Sequence, residues 1–295
     1  MGEEMARKVG VVGSGMMGSE IALVYALAGF SVKICDQSAE QVQSAIERLK
    51  GVLEQGIAKN RYTREQADAA LANLEACDSL ESYADRDLVV EAVFEDIDVK
   101  GAIFERLAKV LPETAIMMTN TSSISITALG GRLPEERRGR FVGTHFFSPV
   151  SRMALVEVIP GIDTDPQVAD EVMQLMRDIA KEPIHVKDVV GFAVNRMLHI
   201  FFIEAIRLVE EGAVSAEDID KACKLGLGHP VGPFELMDLT DTKLSMDVQQ
   251  IMQDHYGDRF MPRQLLKAIV AAGYRGRKTG RGWHRYDAKG KRIPA

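Results

Sequence analysis

Residues 143–157, GTHFFSPVSRMALVE, hold the side chains from which a proton-transfer device can be built. His145 stands near the end of one apolar run. Glu157 is the single charge in another, among Leu155, Val156, Val158 and Ile159. A carboxylate in such a run is costly to bury unless another group pairs with it. His145 is the obvious partner, because a carboxylate that holds an imidazole fixes its tautomer and favours its protonated form, as a general acid/base requires. The alternative is a structural histidine beside a glutamate that faces solvent.

The elements that must position such a pair read as a nucleotide-binding sheet. A short apolar run, 9–12, ends in Gly13-Ser14-Gly15-Met16-Met17-Gly18. An amphipathic helix with Ile21, Val24, Tyr25 and Ala28 follows, then a second strand, 32–35, that closes on Asp36. A GxGxxG string alone is weak evidence, but between a strand and a helix, with an acid closing the next strand, it marks a dinucleotide site. Gly13 permits the tight turn, Gly15 lets backbone approach a pyrophosphate and Gly18 allows close helix–strand packing, while the helix N-terminus faces the phosphates. Asp36 is expected to bind the ribose diol and repel a 2′-phosphate, so NAD is favoured over NADP. Met16 and Met17 fall inside the same loop and are counted with the cofactor contacts.

A helix over 39–59 comes next, and Thr63 with Gln66 forms a capping box that opens another. Residues 88–93 read as a buried parallel strand, 96–110 as a helix and 115–118 as a strand that closes on Thr119-Asn120-Thr121-Ser122-Ser123. Ligands in open α/β sheets sit beyond the carboxyl ends of the strands. That makes Glu95 with Lys100, and Asn120 with Ser122, site candidates, although Ser/Thr/Asn runs also build ordinary turns and caps. The last strand spans 184–186. Beyond Gly191 the chain turns helical, over 192–211, from Ser215, and near 242–255 and 262–272, with a loop rich in Gly and Pro over 226–233. The apolar residues of the 192–211 helix cover too much of its surface for one small core, which suggests burial against a second subunit. Asn195, in the first turns of that helix, is either a cap-like amide or a site residue. His199 and His229 read as core and loop histidines. The fold class is therefore α/β, a Rossmann-type doubly wound, mostly parallel sheet over 1–187 followed by an all-helical substrate-binding and dimerisation domain over 188–295.

Composition narrows the partners. The net charge of −7 over 295 residues provides no domain-wide basic field, which argues against nucleic acid. The three cysteines, Cys35, Cys77 and Cys223, have no metal-ligand spacing and suit a reducing cytoplasm. Neither a signal peptide nor an apolar stretch of membrane-spanning length is visible, and Ala6 spoils the resemblance of the Gly2 start to a myristoylation site.

With these residues assembled, the chain resembles the 3-hydroxyacyl-CoA dehydrogenases of the short bacterial 3-hydroxybutyryl-CoA type. The likeness runs through Gly13–Gly18, Val89-Val90-Glu91-Ala92, residues 119–123, Gly143-Thr144-His145-Phe146-Phe147, Leu155-Val156-Glu157, residues 188–196, residues 232–236 and the Lys278-Thr279-Gly280-Arg281-Gly282-Trp283 tail. It implies NAD-dependent oxidation of an (S)-3-hydroxyacyl-CoA in which His145 takes the 3-hydroxyl proton and Glu157 orients it. By the same resemblance Ser122 and Asn195 hold the substrate oxygens, Glu95, Lys100 and Lys278 contact the cofactor, and a homodimer forms through the helical domain. Three departures stand out, one of them Val231 before Gly232, where the family more often has Met. Ser148, near the nicotinamide, replaces the family's usual Asn, and Arg152 lies in a stretch the family more often fills with apolar residues. They are either neutral drift or the mark of a cyclic or carboxylated acyl group. Lys59 and Arg61 are candidates for the coenzyme A phosphates. The rival functions are a dehydrogenase of a free hydroxy acid, of carnitine or sugar-acid type, and a non-catalytic NAD-binding protein.

Overall fold

The structure, a computed structural model, describes residues 7–293. The chain divides into two compact units, the first ending at Val189 and the second beginning at Val190. In chain order the first unit comprises β1 (Lys8–Val12), α1 (Met16–Leu27), β2 (Ser31–Cys35), α2 (Ala39–Ala58), α3 (Arg64–Ala72), β3 (Leu74–Cys77), β4 (Leu88–Glu91), α4 (Ile97–Val110), β5 (Ile116–Thr119), α5 (Ile126–Gly130), α6 (Glu135–Arg138), β6 (Phe141–Phe146), β7 (Leu155–Pro160), α7 (Pro166–Asp178) and β8 (Glu182–His185). One sheet runs in the order β3-β2-β1-β4-β5-β6-β7-β8. Every neighbouring pair is parallel except β6 with β7. Strand order reverses between β1 and β4, the kind of switch point at which open α/β sheets bind ligands.

Local chemistry explains these elements. Strands β4 and β5 are buried along their whole length, as their near-continuous apolar sequences require of central parallel strands. Ser38, Thr63, Asp96 and Asp165 each accept a first-turn backbone N–H through their side chains, at the starts of α2, α3, α4 and α7. Helix α1 is covered on nearly all sides, packing Ile21, Leu23, Val24 and Tyr25 into the core shared with Val9, Val11, Val32 and Ile34.

The division between the units falls later than the expected start at residue 188. Asp188 belongs with the first unit, because its carboxylate accepts the backbone N–H groups of Ile126 and Thr127 and the Ser125 hydroxyl at the start of α5.

The second unit holds α8 (Val194–Glu210), α9 (Ala216–Gly226), α10 (Pro233–Thr240), α11 (Thr242–Tyr256), α12 (Gln264–Ala271) and two-residue strands β9 (Arg285–Tyr286) and β10 (Arg292–Ile293). It is thus helical with a small antiparallel ribbon, not all-helical. Two buried aspartates fasten the C-terminal segment. Asp238 accepts the N–H groups of Trp283 and His284 and the Tyr286 hydroxyl, while Asp220 pairs with His284 Nε2 at 2.6 Å. No helix among the described residues is long and apolar enough to cross a membrane.

His199 is buried, as expected, edge-on to Phe202, and its Nδ1 has no hydrogen-bond partner among the described residues. Burial lowers its pKa from 6.5 to about 4. A histidine held neutral in the fold costs stability as pH falls, because between about 6.5 and 4 only the unfolded chain takes up the proton. Global stability should therefore drop from pH 7 to pH 4, with up to ~3 kcal/mol of the loss due to this residue. In His199→Leu, denaturant titrations at both pH values should show that part of the loss removed; an unchanged pH slope would contradict the assignment.

Candidate active site

Strands β6 and β7 run antiparallel with His145 directly opposite Glu157, so both side chains project from the same face of the sheet. His145 Nδ1 lies 2.7 Å from Glu157 Oε2, and Glu157 has no solvent exposure. The lone charge in the apolar strand is thus turned toward His145. On the other side of the ring, Nε2 lies 3.1 Å from Ser122 Oγ. A carboxylate at Nδ1 keeps a proton there and leaves Nε2 as the nitrogen that exchanges one. The result is a hydrogen-bonded relay, Ser122–His145–Glu157, beside the carboxyl end of β5.

Residues 120–123 form a turn after β5, and Glu95 supports it. Glu95 accepts the Ser122 N–H at 2.8 Å and the Ser123 N–H at 3.0 Å, together with the Thr121 and Ser123 hydroxyls. Asn120 Oδ1 accepts the Phe146 N–H at 3.0 Å, tying this turn to the strand that carries His145. Burial alone would raise the Glu95 pKa, but the Lys100 ammonium and these donors hold it below the usual carboxylate value.

Lys100 was expected to touch the cofactor, and the structure gives it a supporting place instead. It has no solvent exposure, and its ammonium sits 2.7 Å from Glu91 Oε1 and 3.5 Å from Glu95 Oε2. An ammonium so buried needs a counter-charge, and Glu91, also fully buried, supplies it. Burial nevertheless keeps the Glu91 pKa above its ordinary value, against the pull of Lys100 and Thr119.

At the glycine loop each glycine has a separate reason. A Cβ on Gly13, where φ is +100°, would lie 2.7 Å from the Ala92 carbonyl oxygen, and one on Gly18 would lie 2.0 Å from the Gly13 carbonyl oxygen. A Cβ on Gly15 would meet nothing within 4 Å, so no protein atom demands a glycine there. Gly15 also begins α1 without a side-chain cap, which leaves first-turn N–H groups for a ligand. These features fit a dinucleotide pyrophosphate. Asp36 closes β2 and accepts the Ser14 N–H at 2.5 Å and hydroxyl at 2.6 Å. These bonds and the Gln37 N–H lower its pKa despite burial, which acts the other way. Met16 is 67% exposed beside the loop, whereas the Met17 side chain is half-buried and packs on the core.

The loop between β6 and β7 is braced from beneath. Buried Lys181 donates to the carbonyls of Val150 and Met153, and Glu20 on α1 accepts the Ser151 N–H at 2.8 Å. Ser148 is exposed, its hydroxyl 3.7 Å from Met16 Sδ, so it stands next to the glycine loop. Arg152 is exposed in the same loop. Lys59 and Arg61 are exposed at the end of α2, and nothing in the described geometry brings them to the relay. Asn195 and Lys278 lie in the second unit, Asn195 half-buried in the first turn of α8 and Lys278 exposed in a short turn, Arg277–Thr279. Sequence reasoning gave no role to Glu91, Glu20 or Lys181, nor to Arg48, which donates to the Ser14 carbonyl at 2.8 Å.

Residues 8–189 match the NAD-binding domain of 3-hydroxyacyl-CoA dehydrogenase, and residues 191–286 match its C-terminal domain. The chain belongs to the 3-hydroxyacyl-CoA dehydrogenase family. It is 40% identical to a 3-hydroxybutyryl-CoA dehydrogenase of Bradyrhizobium diazoefficiens, over 98% of each chain. It is 38% identical to the mitochondrial hydroxyacyl-coenzyme A dehydrogenase of Sus scrofa, over 96% of this chain and 92% of that one. The crystal structure of the (S)-3-hydroxybutyryl-CoA dehydrogenase of Ralstonia eutropha superposes with a TM-score of 0.91 at 38% identity, covering 96% of this chain and 99% of the other. As a member of this family the chain is an NAD-dependent oxidoreductase of 3-hydroxyacyl-CoA.

Gly15→Ala separates ligand approach from folding. Gly15 has φ of −59°, a value alanine adopts freely, so thermal stability should stay within about 1 kcal/mol of the parent. NAD affinity measured by calorimetry should fall at least roughly tenfold, because the new methyl group occupies the pyrophosphate approach. Unchanged NAD affinity would show that the loop does not bind the dinucleotide as described.

Proposed function

We propose that the chain interconverts an (S)-3-hydroxyacyl-CoA of short chain and its 3-oxoacyl-CoA, with His145 as the general acid/base. The observation that carries this reading is the Ser122–His145–Glu157 relay, with Nδ1 on a buried carboxylate and Nε2 on a hydroxyl. Bound NAD supplies the hydride acceptor. In the oxidative direction His145 Nε2 takes the proton of the substrate 3-hydroxyl as the C3 hydride departs, and Glu157 stabilises the imidazolium that forms. In reduction the same nitrogen returns the proton to the 3-oxo oxygen. Ser122 shares the substrate oxygen with His145, and its position follows from Glu95, which grips its backbone. We assign Asn195 to the thioester end of the substrate, Glu95 and Lys278 to the cofactor side, and Lys59 and Arg61 to the coenzyme A phosphates.

The second unit is proposed to bind substrate and to form a homodimer. Met197 and Ile200 on α8, with Leu225 and Leu227 at the end of α9, are exposed on it, and a second copy of the chain could cover them. The cytoplasm is the proposed compartment, in keeping with the three free cysteines.

One observation favours a variant of this substrate. Arg152 is the exposed cation of the braced loop beside Ser148, where a carboxylate at the far end of an acyl group would find a partner.

The test is a stereochemically controlled panel: linear, cyclic and carboxylated 3-hydroxyacyl-CoA thioesters beside free 3-hydroxy acids and carnitine, followed by NADH absorbance. Turnover of (S)-thioesters with little on free acids is expected. Activity confined to a free acid would overturn the proposal, and a preference for the carboxylated thioester that Arg152→Met abolishes would establish the variant.

A further inference from the structure

Two of the three cysteines, 42 positions apart in sequence, are neighbours in the fold. Strands β2 and β3 are parallel and in register, with Cys35 directly opposite Cys77 at the carboxyl ends of both. Register partners on adjacent strands point to the same face, and strand spacing of about 4.8 Å puts their Cα atoms inside the span a disulfide bridges, roughly 4.4–6.8 Å. Both thiols are free and buried. Cys77 Sγ sits 3.3 Å from the Ile34 carbonyl, next to the Cys35 sulfur.

The surroundings prepare one sulfur to attack and the other to resolve. The Cys77 thiol is lowered below its ordinary pKa, first by hydrogen bonding from Cys35 and then, against the effect of burial, by the Ser82 and Tyr83 hydroxyls and the Lys33 ammonium. Cys35 is raised, by its bond to Cys77 and by burial. A thiolate with a thiol resolving partner is the arrangement of redox-sensitive cysteines. β3 is the edge strand of the sheet, and it is followed by exposed Asp78 and the short turn Leu80–Tyr83, so little structure has to open to admit a small oxidant.

We propose that Cys35 and Cys77 form a dithiol site that a hydroperoxide oxidises to an intrachain disulfide, and that the crosslink weakens NAD binding through Asp36. The Cys77 thiolate attacks the O–O bond, takes one oxygen as a sulfenic acid and releases the other as water once protonated. The Cys35 sulfur then attacks the sulfenic sulfur and expels a second water. Two thiols lose two electrons and two protons, and hydrogen peroxide becomes two waters. Cys35 directly precedes Asp36, whose carboxylate grips the N–H and hydroxyl of Ser14 in the glycine loop. Drawing the end of β2 toward β3 moves that carboxylate, and with it the loop. This consequence rests on the reading of Asp36 and the glycine loop as the NAD site; formation of the disulfide does not.

The experiment uses the full chain, reduced and free of NAD, exposed to hydrogen peroxide, alkylated, digested and mapped by mass spectrometry, with NAD affinity measured before and after. A linked peptide pair containing Cys35 and Cys77 is expected. The Kd for NAD should rise at least roughly tenfold, the scale of one or two lost charge-assisted hydrogen bonds, and dithiothreitol should restore it. Cys77→Ala should form no link and keep its affinity, and Cys223→Ala should behave as the parent. Should Cys77→Ala fail to fold, one-to-one capture of phenylarsine oxide by the native parent, reversed by a dithiol, scores the pair directly. No linked peptide and no arsenical capture would overturn the site. A link that leaves NAD affinity unchanged would overturn the coupling. If the reduced protein itself binds no NAD, the cofactor reading fails, while the peptide map still decides the dithiol.

Discussion

Everything in the first unit that concerns chemistry depends on one strand pairing. β6 is the last strand in the parallel run from β3, and β7 returns antiparallel to it with His145 facing Glu157. A shift of one residue in that register would turn Glu157 away from the imidazole and strand a charge in an apolar layer. The same pairing leaves the connecting loop, with Ser148 and Arg152, beside the glycine loop. Antiparallel geometry is what allows two groups distant in sequence to become direct neighbours; a parallel return would have needed a crossover helix and a different register.

A second constraint is that the fold buries charge and must pay for it locally. Glu91 with Lys100, Glu157 with His145 and Asp220 with His284 are each enclosed and each paired. Removing either member would leave the other uncompensated, a loss that usually exceeds what the pair adds to stability. Glu91–Lys100 and Glu95 also join strands β4 and β5 to the turn that presents Ser122. Lys181 and Glu20 do the equivalent for the loop between β6 and β7. Ser122, His145 and Glu157 are thus few, and a larger set of ionic side chains holds the backbone around them in place.

Much of this was legible in the sequence because the signals are local. The glycine loop, Asp36, the capping box at Thr63 and Gln66, and the lone Glu157 announce themselves by spacing and contrast. β3 escaped notice because, as a partly exposed edge strand, Leu74–Cys77 has no apolar run. Helix α10 was hidden because Pro233 reads as loop punctuation yet stands in the first turn, where a missing N–H costs nothing. Glu91 carried the same signal as Glu157, one charge in an apolar strand, but its partner Lys100 looked like a cofactor contact. The pairing of Cys35 with Cys77 and the reach of Arg48 to Ser14 depend on how strands and helices stack, which no spacing along the chain encodes. Asp188 lies where the chain changes character, and only its bonds to Ser125, Ile126 and Thr127 show which unit it serves.

The central claim is that His145, held by Glu157, moves the proton that accompanies hydride transfer. Single-turnover reduction of NAD by an (S)-3-hydroxyacyl-CoA, in the parent and in His145→Gln with both ligands saturating, addresses that step alone. A rate lower by roughly 10²–10⁴-fold with the Kd for NAD unchanged is predicted, the usual range for losing a general base. A rate within a few-fold of the parent would mean that the proton leaves by another route.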